Sequence, residues 1–391
     1  MSADPGFTAD ELHLLRQLRR DLHRHPELSW HEIRTQEKLE RALKDSGIAD
    51  VRRIARTGLV ARVRGRDAKA PVIALRGDID ALPITEATGL EFASENDGVM
   101  HACGHDVHAS WAVGAALLLA RTPAAGDVLV VLQPAEEVGE GAREVLASGA
   151  LDGVRAIFGA HVDRRFAVGE VVAQEGPLAA SVDTFHIVLH GEGAHGARPQ
   201  EARDPIVGSA ALILALQTIV SRRLDPALPG VVTVGAVHSG RAANVIPESA
   251  ELTGTIRATT VASRALLVGE VERMAHAVAA THRLTAEVRV TDGTPPIVNP
   301  REGAVWAAQA VRDVLGEKAL VPLGTTNMGG EDFAFYLEKM PGCFLRIGAR
   351  EPGGEHRAAH TPRFYPAEEA LFIGASVLAA CARAAGSPSS G

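Results

Sequence analysis

The sequence predicts an α/β protein whose mixed central sheet is flanked by helices, with an inserted ferredoxin-like α+β domain interrupting the chain. Two observations predict it. Apolar strand-like runs alternate with helical patterns up to about residue 180 and again after residue 294, as in a layered sheet with parallel strands. Between these stretches, residues 184–290 read strand, helix, strand, strand, helix, strand, the order of a ferredoxin-like sandwich. The expected domains are therefore 1–180 together with 294–391, and the insertion 181–293.

Leu12, Leu15, Leu18 and Leu22 recur at helical spacing and predict a helix over 10–24, stopped by Pro26. A second helix is expected from Trp30 to Asp45, before Gly47. Strands follow at Ile54–Val63, Pro71–Leu75, Val128–Leu132 and Ala156–Phe158, with helices at Ala109–Ala120 and Ala142–Ser148 between them. In the insertion, strands are expected at Thr184–Leu189, Val231–Val237, Ala250–Arg257 and Thr285–Val290, and helices at Pro205–Ser221 and Arg264–His282. Helices at Gly303–Val314, Asp332–Leu337 and Glu368–Arg383, with a strand at Cys343–Gly348, complete the first domain. Residues 386–391 read as a loose tail.

Of the 391 residues 46% are hydrophobic, ample for a core, and the net charge is −8. An acidic balance argues against nucleic acid or anionic membranes as partners. Three cysteines cannot build a disulfide framework and fit a reducing compartment. The opening Met-Ser-Ala-Asp-Pro-Gly lacks the basic and apolar stretches of a secretion signal, so a cytoplasmic location is expected. The unbroken apolar runs, around 111–120 and 210–216, fall short of a membrane span of roughly 20 residues.

Polar residues gather just after the apolar strands: Asp78 and Asp80, then Glu136 and Glu137, then His161. In an open α/β sheet such residues meet in a crevice outside the carboxyl ends of the strands. Met100–His108 instead precedes a helix and contains Cys103-x-His105. In an extended loop those two side chains share a face and suit zinc-like ions. The ordinary alternative is a buried structural cysteine beside a loop histidine. A doubled charge straight after a buried strand is costly unless compensated, which favours a functional reading of the glutamate pair. Asp78 and Asp80 could orient histidine ligands. Cys103, His105 and Glu137 with His161 and His360 make five candidate ligands, too many for one open zinc site, which takes three, and enough for two ions with Glu136 left free as the base. Histidines elsewhere, such as His23 and His276, read as structural.

The ordered motifs Leu22-His23-x-x-Pro26-Glu27-Leu28, Asp78-Ile79-Asp80-Ala81-Leu82-Pro83, Met100-His101-Ala102-Cys103-Gly104-His105-Asp106-x-His108, Gln133-Pro134-Ala135-Glu136-Glu137 and His161-Val162 are recognisable. Gly193-Ala194-His195, Asn244-Val245-Ile246-Pro247, Gly254-Thr255-Ile256-Arg257, Gly330-Glu331-Asp332-Phe333 and His360-Thr361-Pro362 follow. The chain resembles the amidohydrolase branch of the aminoacylase/carboxypeptidase-like binuclear metallopeptidases. That branch includes hippurate hydrolase, N-acyl-L-amino-acid amidohydrolases and plant hydrolases of indoleacetyl–amino-acid conjugates. The likeness runs from about residue 10 to 375.

The resemblance implies a metal-dependent amidohydrolase that cleaves N-acyl-amino acids with metal-activated water. It implies two divalent ions per subunit (zinc, manganese, cobalt or nickel) on Cys103, His105, Glu137, His161 and His360, with Glu136 as general base. His195 would stabilise the oxyanion, Asn244 and Arg257 would hold the substrate's carboxylate end, and the inserted domain would serve as lid and interface of a homodimer or higher oligomer. The substrate would be a small N-acyl-amino acid or peptide. One departure is Val138-Gly139-Glu140, where relatives have a glycine-rich run. A metallo-dipeptidase or carboxypeptidase is the nearest alternative, and a cysteine hydrolase using Cys103 a further one.

Overall fold

The computed structural model describes residues 6–386. The chain forms two compact units, Met1–Gly176 with Asn299–Gly324 and Asp332–Gly391, and Pro177–Val298 with Thr325–Glu331. The second unit thus takes in a short segment far along the chain.

The first unit runs α1 (Ala9–Arg24), α2 (Ile33–Asp45), β1 (Val51–Ile54), β2 (Gly58–Val63), β3 (Ile73–Asp78), α3 (His105–Arg121), β4 (Val128–Gln133), α4 (Gly141–Ala147), β5 (Ala156–Ala167) and β6 (Val171–Val172). The short strand β7 (Gly176–Ala179) leads into the second unit, which runs β8 (Asp183–His190), β9 (Ala194–His195), α5 (Pro205–Arg222), β10 (Gly230–Ser239), β11 (Val245–Ile246), β12 (Ser249–Ala258), α6 (Val261–Thr281) and β13 (Thr285–Asp292). The return is through β14 (Ile297–Asn299), α7 (Arg301–Leu315), α8 (Ala334–Leu337), β15 (Gly342–Arg350) and α9 (Glu369–Gly386).

The main sheet has seven strands in the order β1-β2-β4-β3-β5-β15-β6. Strands β4, β3, β5 and β15 are mutually parallel, and β1, β2 and β6 add antiparallel edges. The parallel register sets Asp78 beside Gln133, so β3 and β4 end level with one another. β3 and β4 are wholly buried, as parallel strands covered on both faces must be, and the antiparallel β2 beside them is almost so. Helix α3 is buried on every side from His105 to Leu119 and packs against α1 and α9.

Several boundaries differ from the sequence reading. The run Ile54–Val63 splits into β1 and β2, because Ala55 and Arg56 take positive φ (46° and 61°) and turn the chain. α2 starts at Ile33, since Trp30 has a φ of 68° and cannot be helical. β5 continues to Ala167, so His161 lies inside that strand. α3 begins at His105, which places His105 and His108 in its first turn. The tail expected at 386–391 lies, beyond Gly386, outside the described residues.

The second unit is a four-stranded antiparallel sheet, β10-β12-β8-β13, with the β-α-β-β-α-β order of a ferredoxin-like sandwich. Phe185, Ile187 and Leu189 of β8 form its core with Leu212, Leu216 and Ile219 of α5 and Leu267, Val271 and Ala275 of α6. Asp204 caps α5, its Oδ1 accepting the N–H of Ile206 at 2.9 Å. α5 and α9 are long and apolar enough to cross a membrane, which a count of unbroken apolar runs understated. α9 is packed into the core of the first unit, and α5 lays one face on its sheet.

Candidate metal centre

Four segments of the first unit bring their polar side chains together. The first is the loop that turns into α3. Gly104 has a φ of 88°, and a Cβ there would lie 2.5 Å from Val162 Cγ2, so only glycine serves between Cys103 and His105. The pair therefore converges through a left-handed turn rather than the extended loop the sequence suggested. The second is the turn after β4, where Ala135 takes a φ of 54° before Glu136 and Glu137. The third is His161 within β5. The fourth is His360, also left-handed at φ 64°, whose N–H donates to the Ala102 carbonyl at 2.8 Å.

Cys103 Sγ lies 3.2 Å from His161 Nε2 and 3.3 Å from His360 Nε2. His360 Nε2 is 3.5 Å from a Glu137 oxygen, and His105 Nε2 is 3.7 Å from the other. Glu136 comes within 3.9 Å of the same His105 nitrogen. Cys103, His105 and His161 make one group with ligand atoms within 4.8 Å of one another, and Cys103, Glu137 and His360 make a second. Cys103 belongs to both.

Hydrogen bonds decide which nitrogen each imidazole offers. His161 Nδ1 donates to the Val162 carbonyl at 2.6 Å, leaving Nε2 bare toward Cys103. His105 Nδ1 sits 3.2 Å from Asp80 Oδ1, and its Nε2 is buried with no hydrogen-bond partner. Glu137 Oε1 is likewise buried and unpartnered. Two such orphaned lone-pair atoms, both able to act as Lewis bases and gathered in one cluster, fit a cation between them. His108 differs: its Nε2 accepts the Val162 N–H at 3.0 Å, and its Nδ1 is 2.6 Å from Asp78, so both nitrogens are occupied.

Asp80 and Asp78 support the cluster in different ways. Asp80 faces His105 and also accepts the Glu137 N–H at 3.0 Å and the Ser29 hydroxyl at 2.7 Å. Asp78 faces His108 and is paired with the buried Arg76. Arg76 continues to Asp332 at 2.8 Å, and Asp332 accepts the Ala142 N–H at 2.9 Å, the first turn of α4. The sequence reading gave Ser29, Arg76, His108 and Asp332 no part, though His108 and Asp332 lie within its motifs.

Without a cation the charges are unbalanced. Burial, reinforced by Glu137, pushes the Cys103 thiol well up. Burial likewise raises the Glu137 carboxyl. At His105 burial opposes the charged ring, but Asp78 and Asp80 outweigh it and hold a proton there. Burial and then His108 keep His161 neutral.

His195, Asn244 and Arg257 belong to the second unit. Strands β9 and β11 pair His195 with Val245, and the Asn244 carbonyl accepts the Gly196 N–H at 2.8 Å. His195 is exposed, and its Nδ1 accepts the Ala197 N–H at 3.1 Å, which leaves Nε2 to carry a proton outward. Arg257 is half-buried on β12 and its Nε donates to the Thr255 hydroxyl at 3.1 Å. The structure thus sets His195 and Asn244 on neighbouring segments and Arg257 on a different strand.

Residues 74–384 match the profile of Peptidase family M20/M25/M40. The chain belongs to this family. It is 42% identical over 366 residues to the N-acetylcysteine deacetylase of Bacillus subtilis (strain 168), covering 93% of this chain and 94% of that protein. It is 37% identical over 372 residues to the IAA-amino acid hydrolase ILR1-like 2 of Arabidopsis thaliana, covering 94% and 84%. The crystal structure of the Bacillus subtilis YXEP protein, a dinuclear metal-binding peptidase of the M20 family, matches with a TM-score of 0.85 at 37% identity, covering 96% and 98%. The M20 chain described here is a metal-dependent amide hydrolase, and its ligand groups suit two divalent ions.

A thiolate and a neutral imidazole are needed for ligation, so if Cys103 and His105 are ligands, cation uptake expels the protons they hold. Titrating metal-free protein with a divalent cation at pH 7 in dilute buffer should release at least about one proton per subunit. Uptake without proton release would remove Cys103 from the ligand set.

Proposed function

We propose that the protein hydrolyses the amide bond of N-acyl-amino acids to a free acid and an amino acid. The observation that carries the reading is the convergence of Cys103, His105, Glu137, His161 and His360 on one cluster with Glu136 at its side. In this reading the first five hold the ions, with Cys103 shared between the two groups. The two curated relatives named above support the substrate class, since each is named for removing an acyl group from an amino acid or hydrolysing its conjugate.

Bound there, a pair of divalent ions supplies acidified water and a polarised carbonyl. Glu136 takes the proton of the attacking water and delivers it to the leaving amine. Asp80 holds His105 by its Nδ1 and the Glu137 backbone by its N–H, so one carboxylate fixes two ligands. His195 is assigned to the developing oxyanion through its outward Nε2, and Asn244 and Arg257 to the substrate's carboxylate. Free, buried thiols at Cys103, Cys343 and Cys381 accord with a reducing, cytoplasmic setting.

We also infer a homodimer. α5 exposes Ile206, Val207 and Leu214 at 45%, 53% and 73%, and β10 beside it is an open edge of its sheet. A second copy pairing antiparallel along β10 covers both features with one self-complementary patch.

Two results test these assignments. Glu136→Gln should keep its metal content and lose at least about 100-fold in kcat. The assay panel is N-acetyl, N-benzoyl and indoleacetyl amino acids plus dipeptides, after chelation and reconstitution with zinc, manganese, cobalt or nickel. Full activity in the variant, or activity that survives chelation as a cysteine hydrolase's would, refutes the mechanism. Preference for dipeptides moves the protein to the peptidase alternative. For the oligomer, Leu214→Glu should convert a dimer to a monomer in sedimentation equilibrium, and a wild-type monomer would contradict the interface.

A further inference from the structure

The turn that carries Glu136 and Glu137 is closed on a single strained residue. Ala135 has a φ of 54°, a conformation that L-residues with a side chain adopt at a cost. Its carbonyl accepts the Gly141 N–H at 3.1 Å and the Glu140 N–H at 3.4 Å, while Gly139 N–H donates to Glu136 O at 2.7 Å. The turn from 135 to 141 therefore hangs on Ala135. Gly141 is packed so closely that a Cβ would lie 1.7 Å from the Pro134 carbonyl oxygen. What holds Ala135 itself is its own N–H, which donates to Glu32 Oε1 at 2.9 Å.

Glu32 is an unusual residue for its place. It sits at the N-cap of α2, where Ser, Thr, Asp or Asn normally satisfies the first helical N–H groups. Here the side chain makes no capping bond and is fully buried, away from its own helix. Its second oxygen accepts the Thr57 hydroxyl at 2.6 Å, so both ends of the carboxyl are engaged. A buried carboxyl group is costly to keep unless it does something an apolar side chain cannot. The same loop touches the site twice more. The Ser29 hydroxyl donates to Asp80, which in turn accepts the Glu137 N–H, and the Trp30 indole N–H donates to Glu140 Oε2 at 3.0 Å. Trp30 is itself left-handed at φ 68°.

We propose that Glu32 is a positioning residue that fixes the Glu136–Glu137 turn by accepting the Ala135 N–H, with Trp30 holding the turn at Glu140 and Ser29 supporting it indirectly through Asp80. The inference rests on the proposed roles of Glu136 and Glu137. Glu32 holds the strained backbone at the one point from which both carboxylates are aimed. Small displacements of such groups are expensive in rate: misplacement by about 1 Å can cost about 100-fold.

The test compares Glu32→Leu, which removes the acceptor, with Glu32→Gln, whose amide oxygen can still accept from Ala135 while its NH₂ faces the Thr57 hydroxyl. Two readouts are taken: hydrogen exchange of the peptide spanning 135–141 in metal-free protein, and kcat and KM of the reconstituted enzyme on whichever N-acyl-amino acid the wild type cleaves. Glu32→Leu should exchange faster in that peptide and lose about 10–100-fold in kcat with KM changed by less than about twofold, while Glu32→Gln stays near wild type in both. Slow exchange and full kcat in Glu32→Leu, or equal damage in Glu32→Gln, overturns the proposal. Should Glu32→Leu be recovered unfolded, Glu32→Asp decides, because one methylene fewer withdraws the oxygen from Ala135. Fast exchange and low kcat there support the proposal, and wild-type values overturn it. A wild type that cleaves no N-acyl-amino acid or dipeptide would defeat the proposed function, and the exchange readout would still decide the role of Glu32.

Discussion

The architecture depends on one electrostatic constraint: a thiol, two glutamates and two aspartates are gathered where water is largely excluded, and their negative character must be balanced there. Like charges in a low-dielectric setting repel strongly and are poorly screened. The protein has only partial answers of its own. Arg76 neutralises Asp78 and reaches Asp332, and His105 is held protonated between Asp78 and Asp80. Burial pushes both the Cys103 thiol and the Glu137 carboxyl up, toward their neutral forms. In the proposed reading, divalent cations held by Cys103, His105, Glu137, His161 and His360 would supply the missing positive charge.

The fold delivers this cluster by ending parallel strands level with one another. β3 and β4 share a register that stops at Asp78 and Gln133, and the chain after each strand turns at once into polar groups. Each turn then uses backbone that few residues tolerate: glycine at 104 and left-handed Ala135 and His360. Strain of this kind persists only where surrounding contacts over-determine it. Here those contacts are Val162 against Gly104, the Glu32 carboxylate on Ala135, and the Ala102 carbonyl on His360.

Much of this was legible from residue patterns. Helical and strand periodicities give both layers and the ferredoxin-like order of 184–290, because those elements are long and their apolar positions regular. The polar clusters after β3 and β4 stand out against buried runs, so Asp78, Asp80, Glu136 and Glu137 were visible as a group. What escaped depends on tertiary placement. Glu32 looks like an exposed residue at the start of a helix, and only the packing of its loop against the turn at 135 turns it inward. Arg76 reads as the first polar residue after a strand ending at Leu75, whereas β3 runs on to Asp78 and buries it. The start of α2 and the split of β1 from β2 were missed because Trp30, Ala55 and Arg56 are left-handed without being glycine or asparagine, so no local signal marks them. His108 shares its motif with the ligand candidates Cys103 and His105, and only the Val162 N–H shows that its second nitrogen is taken.

The central claim is that side chains far apart in the chain cage two cations in common. Anomalous diffraction from crystals of reconstituted protein, collected at the absorption edge of the added metal, tests it most directly. The account predicts two peaks within the cluster, one ligated by Cys103, His105 and His161 and the other by Cys103, Glu137 and His360. A single ion, or ions bound by other residues while Cys103 and Glu137 remain uncoordinated, would contradict it.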